Sequence, residues 1–183
     1  MIYDLRRADT RLKWLVTCLL GTFGTAYLFG AWMVALYAGF SPRTVAATYS
    51  QPEMPMHMPP ESTVVVEHRV TLGELAEPAA HTVDRDLLVQ DTHVHVPMYG
   101  VIAAALSAVV LGLALPRWAG FGLITLLFAA PWLDFAGMWL TQLVTPAFAI
   151  VTLAGGWAMG LGYTIVTALA VWQMWQPTKG VAA

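Results

Sequence analysis

The chain has 183 residues, of which 58% are hydrophobic and 11% charged, with a formal net charge of -2. A soluble domain carries about 25% charged residues, so this composition cannot cover a water-facing surface and reads as an integral membrane protein. The charge balance suggests no nucleic-acid partner, and the single cysteine, Cys18, excludes an internal disulfide framework.

Four apolar runs follow in chain order. The first, Trp14 to Phe40, holds no charge and exceeds the roughly 20 residues that a span needs. It is also longer than the ~7–15-residue core of a cleaved signal peptide, so a retained span is expected. The second runs from Val96 to Leu115 and stops at Pro116 and Arg117. The third runs from Trp118 to about Val144 and breaks at Thr145 and Pro146. The fourth runs from Ala147 to Trp175. Lipid offers no partner to free backbone groups, so each must be a helix. The expected fold is all-α: an integral membrane four-helix bundle, with near-absent links making antiparallel hairpins of spans two to four.

Lys and Arg placement sets the expected orientation. Arg6, Arg7, Arg11 and Lys13 precede span one, Arg117 lies between spans two and three, and Lys179 follows span four. Residues 41–95 hold only Arg43, Arg69 and Arg85 against eight acids. By the positive-inside rule both termini are cytoplasmic and the polar segment is periplasmic, in a bacterial inner membrane. The chain then divides into 1–40 (cytoplasmic N-terminus and first span), 41–92 (a periplasmic insertion of about 50 residues between helices 1 and 2, too small for a core of its own) and 93–183 (spans two to four and a short cytoplasmic tail).

Within the insertion, Ser62 to Leu72 is rich in Val and Thr and reads as a short strand. The stretch "QPEMPMHMPPE" alternates Met54, Met56 and Met58 around His57. Thioethers with imidazole are the donors that Cu(I) selects, and in an extended chain the three sulfurs share one face. The plainer alternative is a proline-rich loop whose methionines pack on a partner.

All five histidines lie in this polar part, and "DTHVH" puts His93 and His95 at the outer mouth of span two. In an extended chain Asp91, His93 and His95 face one way; in a helix Asp91 and His95 share a face and His93 turns away. Pro97 suits the first turn of a helix. Span three holds the one ionisable residue deep in a span, Asp134. At ~1.5 Å per residue from Arg117 it lies roughly 25 Å up, at the same end as the histidines. A carboxylate there needs a partner or a function. Three readings compete: a haem b or copper site with His93 or His95 as ligand and Asp134 as orienter; a structural His–Asp hydrogen bond; or a quinol or proton site.

"SPRTVAATY" after span one, "THVH" at span two, and "LDFAGMWLTQLVTPAFA" in span three and its turn resemble a poorly characterised family of small four-span bacterial inner-membrane proteins with a Thr-His-x-His motif at the start of span two. The resemblance covers nearly the whole chain. It implies the topology and the importance of His93, His95 and Asp134, not an activity. The Met- and Pro-rich outer segment between Tyr49 and Thr92 departs from the pattern.

No phosphate-binding glycine loop, haem-attachment motif, HExxH or serine with a credible base is present. No catalytic activity of the chain alone is expected. The reading that follows is an accessory subunit of a membrane respiratory or redox complex with a periplasm-facing haem or copper site, the alternatives being a structural or assembly subunit or a quinol/proton site. Gly155, Gly156 and Gly160, beside Trp157, form a small-residue face in span four. It serves either to dock a larger membrane partner or to receive span one, with its own Gly21, Gly24 and Gly30.

Overall fold

The computed structural model describes residues 3–50 and 82–176. The helices are α1 (Thr10–Tyr37), α2 (Pro42–Tyr49), α3 (Arg85–Leu111), α4 (Arg117–Leu143) and α5 (Ala149–Trp175), with a 3-10 turn at Pro146–Phe148 leading into α5. Among the described residues there is no strand. Four segments, Thr10–Tyr37, Arg85–Leu111, Arg117–Leu143 and Pro146–Trp175, are long and apolar enough to cross a bilayer. At ~1.5 Å per residue the shortest of them exceeds a ~30 Å hydrocarbon core, so their ends stand clear of it. The Ser62–Leu72 strand and the Met54–Met58 run lie outside the described residues.

α3 begins at Arg85, eleven residues before the expected start of the span at Val96. Asp84 caps it, its carboxylate accepting from the Leu87 amide at 2.7 Å, and Asp86 sits in the first turn, where the helix dipole favours an acid. Pro97 is therefore inside the helix rather than in its first turn. A proline cannot donate to the carbonyl four residues back. Here that carbonyl is His93's, on an exposed residue near the polar end of the span, where water can take the missing donor's place.

The hydrophobic pattern does not announce α2. It is set by a capping box: the Ser41 hydroxyl accepts from the Thr44 amide at 3.2 Å and the Thr44 hydroxyl from the Ser41 amide at 3.3 Å, with Pro42 at the first helical position. The turn before it uses Gly39 in the left-handed region, φ 68°, whose amide bonds back to the Val34 carbonyl at 2.7 Å and closes α1. The α2 helix lies against α4, α5 and the 3-10 turn. Its Thr48 carbonyl accepts from the Val83 amide at 2.8 Å, and the Val83 carbonyl accepts from the Gln142 side chain at 3.1 Å. The insertion thus leaves and re-enters the bundle at one point, pinned to the end of α4.

The first described residues and the end of α5 sit at the opposite end of the bundle. The Leu5 amide donates to the Gly112 carbonyl at 2.9 Å, and the Tyr3 hydroxyl donates to the Ala108 carbonyl at 2.7 Å. Buried Gln173 accepts from the Ala114 amide at 2.9 Å, joining α5 to the α3–α4 turn. The apolar core fills this half of the molecule: Leu5, Leu106, Val110, Leu127, Val166 and Met174 are all buried. Seven of the eight tryptophans are exposed, as expected of rings that anchor helices at membrane interfaces. Trp139 is the exception; it lies against α3, its indole N–H donating to Thr92.

Without a hydrophobic drive between helices in lipid, close backbone approach decides which helices meet. Here α4 and α5 form the most extensive contact, through a reciprocal notch. Gly137 of α4 receives the Thr152 backbone of α5, and Gly155 of α5 receives the Asp134 backbone of α4; a Cβ on either glycine would collide with main chain. α1 is the least buried helix and packs mainly on α5. Its Tyr27 hydroxyl occupies the space a side chain at Gly160 would need.

The small-residue face of α5 therefore divides. Gly155 and Gly160 are used within the molecule. A Cβ at Gly156 would meet nothing within 4 Å, and Trp157 beside it is 66% exposed. Gly160→Leu is expected to detach α1, visible as new protease cuts in the 38–50 turn or a lowered melting temperature in detergent. Gly156→Leu is expected to leave both unchanged. Equal damage from the two would contradict this division.

Candidate functional site

The end of the bundle away from the first described residues gathers its polar side chains. Helical phase decides the first pair. Asp91 and His95, four apart on α3, meet with Nδ1 of His95 2.7 Å from an Asp91 carboxylate oxygen; the same nitrogen is 2.9 Å from the Asp91 carbonyl. Nδ1 is thereby engaged on its own helix, and Nε2 is the nitrogen left to act. His93, two residues earlier, turns away and is exposed. The two histidines do not converge.

One turn below His95, on the same face, stands Tyr99, its ring centroid 5.8 Å from the imidazole and 6.0 Å from Phe135 of α4. Between these rows Thr92 accepts from Trp139 at 3.0 Å while donating to the Leu88 carbonyl at 2.7 Å. That bond fastens α3 to α4 level with the histidine pair.

Asp134 is buried, at 8% exposure. Its backbone is locked against Gly155, so the rotation of α4 is fixed. Among the described residues its carboxylate makes no hydrogen bond or ion pair with either histidine. The carboxylate that holds His95 is Asp91's, not that of Asp134, because i, i+4 geometry within α3 satisfies Nδ1 first.

Tyr49, the last residue of α2, completes the group. Burial, and then the nearby Asp134 and Asp91 carboxylates and the Tyr99 hydroxyl, push its phenol pKa upward. Tyr49 thus stays a neutral phenol within electrostatic reach of two carboxylates. The sequence patterns singled out neither Tyr49 nor Tyr99. The i, i+4 spacing of His95 and Tyr99 is a readable sign for the second.

Chemically, the group offers an oriented imidazole, a buried carboxylate and two phenols at one end of a membrane bundle. Among the described residues no three His, Cys, Asp or Glu side chains come together as a metal-holding group. Of the two histidines, His95 is the one that a carboxylate orients, Asp91's, with Nε2 left free for a metal or haem iron.

An all-helical chain with four apolar spans and a polar group at one end of the bundle is a multi-pass membrane protein in contact with the lipid bilayer. Residues 39–181 match the family model described as a transmembrane helical domain (Aq_1264_TM), and the chain belongs to that family. The match takes in α2 to α5 and begins after α1. No curated protein and no solved structure matches the chain.

Proposed function

We propose that this chain is an accessory subunit of a membrane redox assembly and carries a proton-handling site of the quinol type at one end of its bundle. The observation that supports it is the Asp91–His95 pair set against Tyr99, with Tyr49 and buried Asp134 within electrostatic reach. An imidazole held by a carboxylate is suited to accept a proton near neutral pH. A carboxylate inside a bilayer marks proton and substrate paths. The chain itself supplies no redox centre in this reading; the partner does.

The orientation follows from charge. Arg6, Arg7, Arg11, Lys13 and Arg117 stand at the end where the chain starts, against Arg43 and Arg85 among the described residues at the other. In a bacterial inner membrane the site then faces the periplasm. The face at Gly156 and Trp157 is the surface offered to the larger membrane partner.

A second reading rests on one observation, the Asp91-held His95 with its free Nε2. There His95 is a ligand to haem b or copper, and any further donor comes from outside the described residues, where Met54, Met56, His57 and Met58 lie. An absorption spectrum and metal analysis of the protein purified in mild detergent separate the two. The proton reading expects neither a Soret band nor stoichiometric copper. A band or a copper ion lost in His95→Ala and kept in His93→Ala would replace it with the metal reading.

A further inference from the structure

The geometry points to a ring-binding site for a membrane quinone in the cleft between α3 and α4, beside the group just described. The inference rests on the quinol-type reading and gives it a ligand position. The cleft measures about 290 Å³ and is walled by Tyr99 and Gly100 of α3 and by Leu127, Phe128, Pro131 and Trp132 of α4. Small-molecule sites run to ~300–1,000 Å³, so this one takes a single substituted ring and leaves a long tail in the bilayer.

Three features favour a ring that both donates and accepts hydrogen bonds over a lipid acyl chain. Aromatic side chains, Tyr99, Phe128 and Trp132, stand on the walls from both helices, and aromatic faces suit a planar guest. Pro131 has no amide hydrogen, so the carbonyl four residues earlier, Leu127's, loses its helical donor. That carbonyl belongs to another wall residue, Leu127. Tyr99 stands on the facing wall. An acyl chain satisfies neither group. A quinol hydroxyl donates to the carbonyl and a quinone oxygen accepts from the phenol. Tyr99 also links the cleft to His95, 5.8 Å away between ring centroids.

Gly100 makes the test clean. It lines the cleft, yet a Cβ there meets nothing within 4 Å, so Gly100→Leu enters the cleft with no clash at its Cβ. The probe is a benzoquinone with a ten-carbon tail, titrated into the isolated chain in nanodiscs while tryptophan fluorescence is followed. Wild type is expected to show saturable one-site quenching, and Gly100→Leu at least tenfold weaker binding. Tyr99→Phe, which keeps the shape, is expected to weaken binding three- to tenfold. Quenching of Gly100→Leu equal to wild type, non-saturating partition in wild type, or equal competition by a ten-carbon alkane without a ring would each overturn the site. Because the isolated chain is used, failure here leaves the subunit reading standing. Quinone binding by a chain that co-purifies with no redox partner would instead sink the subunit reading alone.

Discussion

Gly155→Leu is expected to prevent the protein from accumulating in the membrane. A side chain at this position meets the Asp134 amide and Cα directly, and backbone cannot step aside as a flexible side chain can. Overpacking a tight contact costs about 1–3 kcal/mol when side chains can adjust. Here the α4–α5 crossing itself must open, and it is the most extensive helix contact in the molecule. The Gly137–Thr152 notch on the other side of the crossing would open with it. Immunoblotting of membranes, with Gly156→Leu as the comparison one residue away, checks the expectation. Normal accumulation of Gly155→Leu would mean that α4 and α5 do not approach at this point.

Asp134→Asn is expected to fold at least as stably as wild type. Had Asp134 been one half of a buried pair with a histidine, removing its charge would cost about 3–5 kcal/mol. Its carboxylate has no histidine partner among the described residues, and an acid within a span is unfavourable by roughly 2.5–3.5 kcal/mol on insertion scales. Removing the charge thus relieves a burden rather than breaking a bond. Thermal unfolding in detergent distinguishes the cases: an unchanged or raised midpoint fits the present geometry, and a marked fall restores the structural His–Asp pair.

The four spans were legible because length and hydropathy are enough to set them. The polar end of the bundle was legible in part. His95 and Asp134 stood out because ionisable groups are rare in apolar runs, but their pairing depended on the phase of two helices. The phase of α3 could be read only by choosing helix over extended chain at "DTHVH", and Pro97 obscured that choice by resembling a helix start. The rotation of α4 is set by Gly155 and Gly137 against α5, which local spacing does not reveal. Tyr49 was invisible for another reason. It reaches the site on α2, whose "SPRT" start carries a readable capping signal but whose eight residues hold too little hydrophobic pattern to stand out.

The role of α1 shows the same limit. Its apolar run is as long as the others, and composition gave it equal weight in the bundle. In the structure it is largely exposed, touching α5 through Tyr27 at Gly160 and through Thr17 beneath Trp175 at 3.3 Å. The matched family residues likewise begin beyond it.

The most direct measurement is quinol oxidation by the assembly isolated on a tagged copy of this chain, comparing wild type with His95→Ala. The proposal predicts that the chain brings a redox enzyme with it. It also predicts that His95→Ala leaves the subunit composition unchanged and lowers turnover about 100-fold or more, the smaller end of what a lost proton acceptor costs. Full turnover in His95→Ala, or a chain that leaves the membrane with no redox partner, would contradict it.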